Sequence, residues 1–512
     1  MRRLDRHTLA HAAAGVLAGA VGMSVAHLTA ALLTPASSPA LAVSTAVIDA
    51  TPTPVKEWAV RELGSADKPI LIGSVLLVTI AFAAVIGVIA RRRLWLGVGL
   101  MAGLVLLAGA AVVRQPLFEI ANLVPTLVAL VLGPGVLVLL TRALTAERTP
   151  ARRQDAPDEG AATRRSVLIG FGALALLSAA AATGGQMIVR GRTALADIML
   201  PRVRKPLPAL PAGLEETHQG ISRFITRNRD FYRVDTKLAV PIVDQNSWSL
   251  TIDGDVDREL TFSYDDLRAR ENVEYDITLA CVSNEVGGKL VGAARWTGVP
   301  LKELLEEAGV GKNADQILST DVEGFTISTP LEAAMDGRNA MVALGMNGEV
   351  LPRTHGFPAR LVVPGLYGYV GATKWVTKLT LTRYDEATAY WTDRDWAIDA
   401  PIKLSSRIDT PRPLSNIEGG RTVIGGVAWA QHHGVATVDV RIDGGRWQPA
   451  ELGPDAGIDY WRQWFMPWDA EPGSRQLAVR VTDRDGNVQS AERTTPFPDG
   501  SSGIQEIVVT VT

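Results

Sequence analysis

The sequence TLACVSNEVGG at residues 278–288 contains Cys281, the single cysteine in this chain of 512 residues. A short apolar run precedes the cysteine, and turn-forming residues follow it. A single thiol cannot form an intramolecular disulfide, but it can be an inert core residue, a nucleophile or a soft ligand to one metal ion. An inert buried side chain is the most frequent of these outcomes. The surrounding sequence therefore has to decide between them.

Three further sequence blocks follow Cys281 along the chain. They are ARWTGVPLKELL at residues 294–305, HGFPARLVVPG at residues 355–365 and GYVGATKWV at residues 368–376. Together with the cysteine block, and in this order, they resemble the sulfite oxidase family of molybdenum-molybdopterin oxidoreductases. The resemblance extends from about residue 228 to the C-terminus. Four separate blocks in the same order make it specific.

The resemblance implies a molybdenum-molybdopterin cofactor with one protein ligand to the metal. In that family a pterin dithiolene and one cysteine thiolate hold molybdenum, and Cys281 matches this position. Sulfur is a soft ligand that suits the metal, and burial of the pterin phosphate requires cationic and amide donors. The positions that match the family's cofactor contacts are Asn228, Tyr232, Arg233, Thr320, His355, Arg360, Ala372, Thr373 and Lys374.

The substrate region differs from that of sulfite oxidases. Those enzymes have an arginine soon after the metal-binding cysteine, whereas this chain has Glu285. A carboxylate beside the metal repels an anion such as sulfite. Tyr390 matches the active-site tyrosine of the family, and Arg462 is a candidate to face the pocket from the C-terminal region. The resemblance therefore leaves the substrate open.

The first 190 residues contain five apolar runs, each close to the ~20 residues that a transmembrane helix needs. The runs cover about residues 9–32, 70–90, 94–113, 120–141 and 166–189. Arginines cluster at the N-terminus, in the turn after the second run and between the fourth and fifth runs, so every second loop is basic. The positive-inside rule then predicts a cytoplasmic N-terminus and an extracytoplasmic location for everything after residue 191.

The first and fifth runs each have two interpretations. The first run also fits a cleaved signal peptide. Arg164 and Arg165 precede a mild, Ala- and Gly-rich fifth run, as in a twin-arginine export signal, but the pair also fits an ordinary positive-inside flank. The family resemblance favours export of a folded enzyme, because the cofactor is inserted in the cytoplasm. His11 and His27 are the only histidines of the five runs and share one predicted helix, so we expect no membrane haem.

The remaining sequence predicts a linker followed by two domains. Residues 191–227 contain several prolines among basic residues, which is typical of a linker. Short β-rich runs alternate with helices over residues 228–398, which predicts an α+β domain, and the resemblance identifies it as the molybdopterin-binding fold. Residues 399–512 contain alternating runs separated by Gly-Gly and Asp-Gly turns, which predicts an immunoglobulin-like β-sandwich. The resemblance implies that this sandwich mediates homodimerisation, while a solvated sandwich with a tryptophan-rich core and no partner is the alternative.

The sequence thus predicts a multidomain, multi-pass membrane protein with an external oxidoreductase that transfers an oxygen atom in a two-electron reaction. Reduction of S- or N-oxides is an alternative reaction, and a cofactor-free binding protein on the same fold is an alternative of another class. One cysteine excludes an iron–sulfur cluster bound by the chain's own thiolates. A separate cytochrome or quinone-linked protein is therefore expected to exchange electrons with the enzyme. The net charge of −3 gives no reason to expect nucleic acid as a partner.

Overall fold

The structure is a computed structural model that describes residues 6–52, 55, 58, 67–115, 118–146, 159–192, 198–235 and 237–512. The chain divides into two compact units. The first consists of Met1–Ala194 with Asp235–Ile242, and the second of Leu195–Val234 with Val243–Thr512. Apart from residues 235–242, the regions predicted as the molybdopterin-binding domain and the sandwich therefore belong to one compact unit.

The described part of the first unit is helical. Its α-helices are α1 (Arg6–Leu32), α2 (Pro39–Ala50), α3 (Asp67–Ala90), α4 (Leu94–Val113), α5 (Val124–Ala146) and α6 (Glu159–Arg192). Apolar stretches of 20 to 26 residues coincide with α1, α3, α4, α6 and α5 together with the 3-10 turn Ile120–Leu123 before it, and each is long enough to cross a membrane by length and composition. Each predicted run lies on one of these five helices. The 12-residue helix α2, which is too short to span, was not predicted from the sequence.

Helices α1 and α3 approach each other closely because glycines line their contact. A Cβ atom at Gly15 would lie 2.0 Å from the carbonyl oxygen of Ala83, so no larger residue fits there without a shift. Arg91 follows α3, and its Nη1 donates to Thr8 Oγ1 at 2.7 Å. The N-terminus of α1 and the basic turn after α3 thus lie at the same end of the helices, as the predicted topology requires. The side chains of the predicted export pair, Arg164 and Arg165, lie outside the described residues.

Two sheets and four short helices form the first half of the second unit. The strands are β1 (Ser249–Gly254), β2 (Leu260–Ser263), β3 (Val273–Ala280), β4 (Val291–Pro300), β5 (Gln316–Asp321), β6 (Thr326–Pro330), β7 (Met341–Met346), β8 (Glu349–Val350), β9 (Arg360–Val362) and β10 (Val376–Thr382). The helices are α7 (Tyr264–Ala269), α8 (Leu301–Ala308), α9 (Leu331–Met335) and α10 (Gly368–Gly371). One sheet has the order β2-β1-β10-β5-β6, and the other has the order β3-β4-β7-β8 with β9 paired to β7. This is the α+β arrangement that the sequence predicts.

The C-terminal region is β-rich and also contains two sheets. Its strands are β11 (Ser405–Thr410), β12 (Asn416–Ile417), β13 (Gly420–Trp429), β14 (Val435–Ile442), β15 (Gln448–Pro449), β16 (Glu451–Leu452), β17 (Arg462–Ala470), β18 (Gly473–Asp483) and β19 (Gln505–Val511). The sheet orders are β11-β13-β17-β16 and β12-β19-β18-β14-β15. Buried apolar side chains from both sheets, among them Ile424, Val440 and Trp464, form one core. The two layers are therefore held together by a shared apolar interior.

The described part of the predicted linker, residues 198–227, belongs to the second unit and packs against its C-terminal region. Phe224 is buried, and its carbonyl oxygen accepts hydrogen bonds from Tyr460 Oη at 2.9 Å and from Trp461 Nε1 at 2.8 Å. Trp461 N–H also donates to the hydroxyl of Thr278 at 2.8 Å. Because Thr278 lies on β3, these contacts anchor the strand before Cys281 to the C-terminal region.

Candidate cofactor-binding site

Cys281 begins the loop that connects the antiparallel strands β3 and β4. Its N–H donates to the carbonyl oxygen of Leu290 at 2.9 Å, and its own carbonyl oxygen accepts from Asn284 N–H at 3.0 Å. Asn284 Oδ1 accepts from Leu290 N–H at 2.8 Å and closes the loop from inside. The Cys281 side chain is only 8% exposed. The hairpin therefore holds one buried sulfur at a defined position at the end of β3.

Several polar groups lie within electrostatic reach of this sulfur. Burial raises the pKa of the Cys281 thiol, while hydrogen bonds with Ser283 and the positive charge of Lys374 act in the opposite direction. Burial, and then the charge of Cys281, raise the pKa of Tyr232. Burial is also the main cause that raises the pKa of Tyr367 to about 12, and the charge of Cys281 adds to it. Both tyrosines therefore keep their hydroxyl protons at neutral pH.

Tyr367 was not predicted from the sequence as a site residue. It precedes Gly368, where a Cβ atom would lie 3.7 Å from Tyr232 Oη and 3.7 Å from the carbonyl oxygen of Ala280. The backbone at Gly368 therefore comes close both to the Tyr232 hydroxyl and to the residue before Cys281. The only sequence feature that points to Tyr367 is its position directly before the block at residues 368–376. That position by itself does not distinguish a site residue from a turn residue.

His355 precedes Gly356, a second glycine at which the backbone packs closely against other residues. A Cβ atom at Gly356 would lie 3.0 Å from Arg360 Cβ and 3.1 Å from Lys374 Cα, so this chain segment packs against both residues. Burial lowers the pKa of His355 to about 4, and the charges of Arg360, Lys374 and Arg233 add to this effect. The imidazole is therefore neutral at pH 7.

A hydrogen bond determines the tautomer of the neutral His355. Its Nε2 lies 2.7 Å from the carbonyl oxygen of Asn228, so Nε2 carries the proton and donates, which leaves Nδ1 as an acceptor. The side chain of Asn228 donates to Glu349 Oε2 at 2.9 Å and to the carbonyl oxygen of Met346 at 3.2 Å. The backbone carbonyl of Asn228 thus positions the His355 imidazole. The side-chain amide of Asn228 holds its own chain segment against Met346 and Glu349.

Arg360 is a buried cation whose protein partners are carbonyl oxygens. Its side chain is 6% exposed, and its guanidinium carbon lies 5.0 Å from the centre of the Trp296 ring. Nη1 donates to the carbonyl oxygen of His355 at 3.2 Å and Nη2 to that of Ala372 at 3.3 Å. Within the described part of the chain Nε has no hydrogen-bond partner. Burial lowers the pKa of this guanidinium to about 10, which leaves it charged at neutral pH.

These residues fit the cofactor that the sequence predicts. A buried guanidinium with an unpartnered Nε is stabilised by an anion, and a phosphate supplies both the charge and the acceptor oxygens. Lys374 adds a second positive charge on the same side, and the pKa of the Cys281 thiol responds to it. A thiol that could act as a soft metal ligand and two cations that could bind a phosphate are therefore present together in this part of the fold.

Two other predicted contacts have defined structural surroundings. Thr373 is buried, and its Oγ1 lies 2.5 Å from Ser319 Oγ on β5. Thr320 follows Ser319 on the same strand, so its side chain points to the opposite face of the sheet. The contact of Thr320 with the cofactor stays a prediction.

Three residues predicted near the substrate lie in other surroundings. Tyr390 packs against Phe325, with ring centres 5.0 Å apart, and the Arg394 guanidinium lies 3.6 Å from its ring centre. Arg462 Nη1 donates to Asp455 Oδ2 at 2.8 Å. The side chain of Glu285 is exposed. No described contact joins any of the three to Cys281, and their roles stay predictions.

Comparison with known proteins agrees with this arrangement. Residues 237–391 match the oxidoreductase molybdopterin binding domain. Sulfite oxidase from Gallus gallus is 28% identical over 318 residues, which cover 52% of this chain and 68% of that protein. Mitochondrial sulfite oxidase from Homo sapiens is 30% identical over 315 residues, which cover 52% of this chain and 57% of that protein. The chain thus matches between just over half and about two thirds of the length of these relatives.

A solved structure supports the fold. The sulfane dehydrogenase SoxCD from Paracoccus pantotrophus superposes with a TM-score of 0.50 and 24% sequence identity, covering 61% of this chain and 90% of that chain. The shared fold, the matched domain and the relatives agree with the buried thiol and cation described above. The chain is therefore an oxidoreductase that contains an oxidoreductase molybdopterin binding domain and is similar to sulfite oxidases.

Proposed function

We propose that this protein is a membrane-anchored, extracytoplasmic molybdenum-cofactor oxidoreductase that catalyses sulfite oxidase-like oxygen-atom transfer. The observation that carries the proposal is the buried guanidinium of Arg360, which has no anionic partner in the described chain, in the same region as the buried thiol of Cys281. A metal ligand alone or a cation alone has many explanations. Their combination fits a cofactor that presents both a soft metal and a phosphate.

The chain's own residues hold and orient this cofactor. Arg360 and Lys374 bind the phosphate, and the neutral His355 accepts a hydrogen bond at Nδ1. Cys281 supplies the thiolate, because coordination to a metal removes the thiol proton despite burial. When bound, molybdenum-molybdopterin supplies a metal centre that changes its charge by two electrons as an oxygen atom is exchanged.

Two protonated tyrosines are available for the substrate. Burial and the charge of Cys281 both favour the neutral phenol of Tyr232 and of Tyr367. A phenol donates one hydrogen bond and does not repel an anion, so it can orient an oxygen of the substrate beside the sulfur. We therefore add these two phenols to Tyr390 as candidate hydroxyl donors to the substrate.

Cofactor analysis of the purified full-length protein tests the proposal. We expect about one molybdenum and one pterin per chain, and turnover of sulfite with an artificial electron acceptor. Reduction of a sulfoxide or an N-oxide with no oxidation of sulfite would favour the alternative reaction. Absence of both molybdenum and pterin from protein produced in a host that makes the cofactor would favour the cofactor-free binding protein and refute the proposal.

The membrane location and the partners belong to the same proposal. The five apolar helices anchor the chain in the lipid bilayer, a separate cytochrome or quinone-linked protein exchanges electrons, and the C-terminal sandwich forms a homodimer. Changing both Arg164 and Arg165 to Lys tests twin-arginine export, because the charge is kept while the signal is lost. We expect the catalytic unit of this variant to become inaccessible to protease in spheroplasts, whereas normal accessibility would assign the pair to topology alone.

A further inference from the structure

A cavity of about 390 Å³ lies among the helices of the first unit, far along the chain from the cofactor residues. It is lined by the end of α3 and the turn after it, by the start of α4 and by the end of α5. Its lining residues are Ala90, Arg91, Arg92, Leu94, Thr141, Arg142 and Thr145. The volume falls within the range of about 300–1,000 Å³ that is typical of small-ligand pockets.

The charge of the cavity lining is positive. Three arginines contribute to it, and none of the lining residues is acidic. Arg91 donates to Thr8, whereas the side chains of Arg92 and Arg142 are exposed and form no ion pair with any residue that the structure describes. The cavity therefore favours an anion, and two of its arginines have the freedom to contact one.

The backbone of α4 adds to this preference. The helix has 20 residues, begins at Leu94 in the cavity lining and has no side-chain hydrogen bond from its N-cap residue Arg93. N–H groups in the first turn of a helix have no partner within the helix, and the helix dipole places partial positive charge there. Both effects favour a phosphate oxygen at this point.

An unpartnered hydroxyl provides an independent indication of a ligand. Thr141 lines the cavity and is 4% exposed, yet its Oγ1 has no hydrogen-bond partner in the part of the chain that the structure describes. The neighbouring Thr145 Oγ1 instead donates to the carbonyl oxygen of Thr141 at 2.7 Å. A buried hydroxyl without a partner costs stability, and an acceptor atom in the cavity would remove that cost.

The surface next to the cavity is apolar and exposed. Trp95 is 72% exposed and Leu96 is 48% exposed at the start of α4, and Phe82 and Val85 are each 56% exposed on α3. Such side chains are expected against lipid chains, and tryptophan is enriched where a membrane meets water. An anionic group in the cavity would therefore continue directly into a surface that suits acyl chains.

We infer that this cavity binds the phosphate headgroup of an anionic phospholipid in the cytoplasmic leaflet. Arg92 and Arg142 bind the phosphate, the α4 N-terminus and the Thr141 hydroxyl donate hydrogen bonds to it, and the acyl chains lie along α3 and α4. The inference rests on the proposed membrane anchoring. Because the arginines lie at the end of the bundle that the positive-inside rule assigns to the cytoplasm, bound lipid would stabilise that topology.

Lipid binding to the full-length protein in nanodiscs tests the inference. We expect phosphatidylglycerol to raise the melting temperature relative to phosphatidylcholine, and its affinity to fall about fivefold in Arg92→Gln or Arg142→Gln and about 25-fold in the double variant. Arg93→Gln is the matched control, because Arg93 lies in the same turn but does not line the cavity. Equal phosphatidylglycerol affinity in the double variant and in the wild type would overturn the inference.

The Thr141→Val variant tests whether the Thr141 hydroxyl binds the lipid or only affects the stability of the protein. In phosphatidylcholine the variant should be at least as stable as wild type, because it removes an unpartnered buried hydroxyl, whereas its response to phosphatidylglycerol should weaken about fivefold. Inorganic phosphate that reproduces the full shift would assign the cavity to a soluble anion and overturn the lipid assignment. Loss of membrane association after carbonate extraction would instead refute the anchoring itself, while unchanged molybdenum content in all variants keeps the two questions separate.

Discussion

Arginines of the C-terminal sandwich and the arginine of the cofactor-binding region differ in what neutralises them. In the sandwich, Arg462 pairs with Asp455 at 2.8 Å and Arg475 with Asp443 at 2.9 Å. Arg360 is buried and bonds only carbonyl oxygens in the described chain. Partly exposed ion pairs contribute about 0–1 kcal/mol, whereas a buried charge without a counter-ion costs considerably more. These two sandwich arginines are therefore neutralised by acidic partners within the fold, whereas we expect Arg360 to be neutralised by an anionic ligand.

The largest effect is expected from substitution of Cys281, at the centre of the cofactor-binding region. Cys281→Ser should abolish turnover, because a hydroxyl is a harder and much less acidic ligand than a thiol. The fold should survive, since the two side chains are close in size. Turnover, molybdenum content and thermal unfolding of the purified variant check this prediction. Full activity would show that Cys281 is an inert core residue.

A matched pair of arginine variants tests the comparison directly. Arg360→Gln should weaken cofactor binding by about 2–5 kcal/mol, because it leaves a buried phosphate without its cation. Without cofactor the same variant should be as stable as the wild type or more stable, since a buried charge has been removed. Arg462→Gln should change stability by about 1 kcal/mol or less and leave pterin content unchanged. Equal pterin content in both variants would contradict the contrast between the regions.

The neutral state of His355 predicts a loss of stability in acid. Its folded pKa of about 4 lies below the ordinary value of 6.5, so the unfolded chain takes up a proton first as the pH falls. The destabilisation should begin near pH 6.5, reach at most about 3 kcal/mol near pH 4 and then level off. His355→Gln, which keeps a donor for Asn228, should reduce this slope. Unfolding measured from pH 7 to pH 4 would contradict the prediction if both proteins gave the same slope.

The two candidate tyrosines provide a sharper test of the substrate region. Tyr367→Phe removes a hydroxyl whose pKa responds to the charge of Cys281, so we expect about a tenfold loss in kcat/KM. Tyr390→Phe should have a much smaller effect, because Tyr390 packs against Phe325 and Arg394. Steady-state kinetics with the identified substrate distinguish the two. The reverse order would restore the catalytic role that the sequence assigned to Tyr390.

The smallest effect is expected at Glu285. The sequence suggests that this carboxylate repels sulfite, but its side chain is exposed, where water screens its charge. Glu285→Gln should therefore change the KM for sulfite by less than about threefold. Measurements at low and high ionic strength check this expectation. A tenfold lower KM at low salt would show that the carboxylate does face the substrate.

Local patterns predicted most of the secondary structure in this protein. The Ser263 hydroxyl accepts a hydrogen bond from Asp266 N–H and caps the N-terminus of α7, a local arrangement that depends only on two residues three positions apart. The alternating runs of the C-terminal region became strands such as β14 and β18 because one face of each packs into the shared core. Helix α2 was not predicted, since its twelve residues are too few for a span and follow a turn rich in serine and proline. The packing of residues 198–227 was not predicted either, because burial of Phe224 depends on Tyr460 and Trp461 more than 230 positions away.

The sequence by itself determined the class of enzyme, since one cysteine and three ordered blocks identify a molybdopterin-binding domain, and apolar length identifies five helices able to span a membrane. Which side chains meet was decided only by the tertiary structure. The residues around Cys281 come from segments more than 140 positions apart, and their burial sets the charge states of His355 and Tyr367. Glu285 and Arg360 are both charged residues near a family motif, but in the folded chain Glu285 is exposed and Arg360 is buried. Periodicity and spacing report local geometry, whereas desolvation and charge pairing depend on neighbours that the folded chain alone brings together.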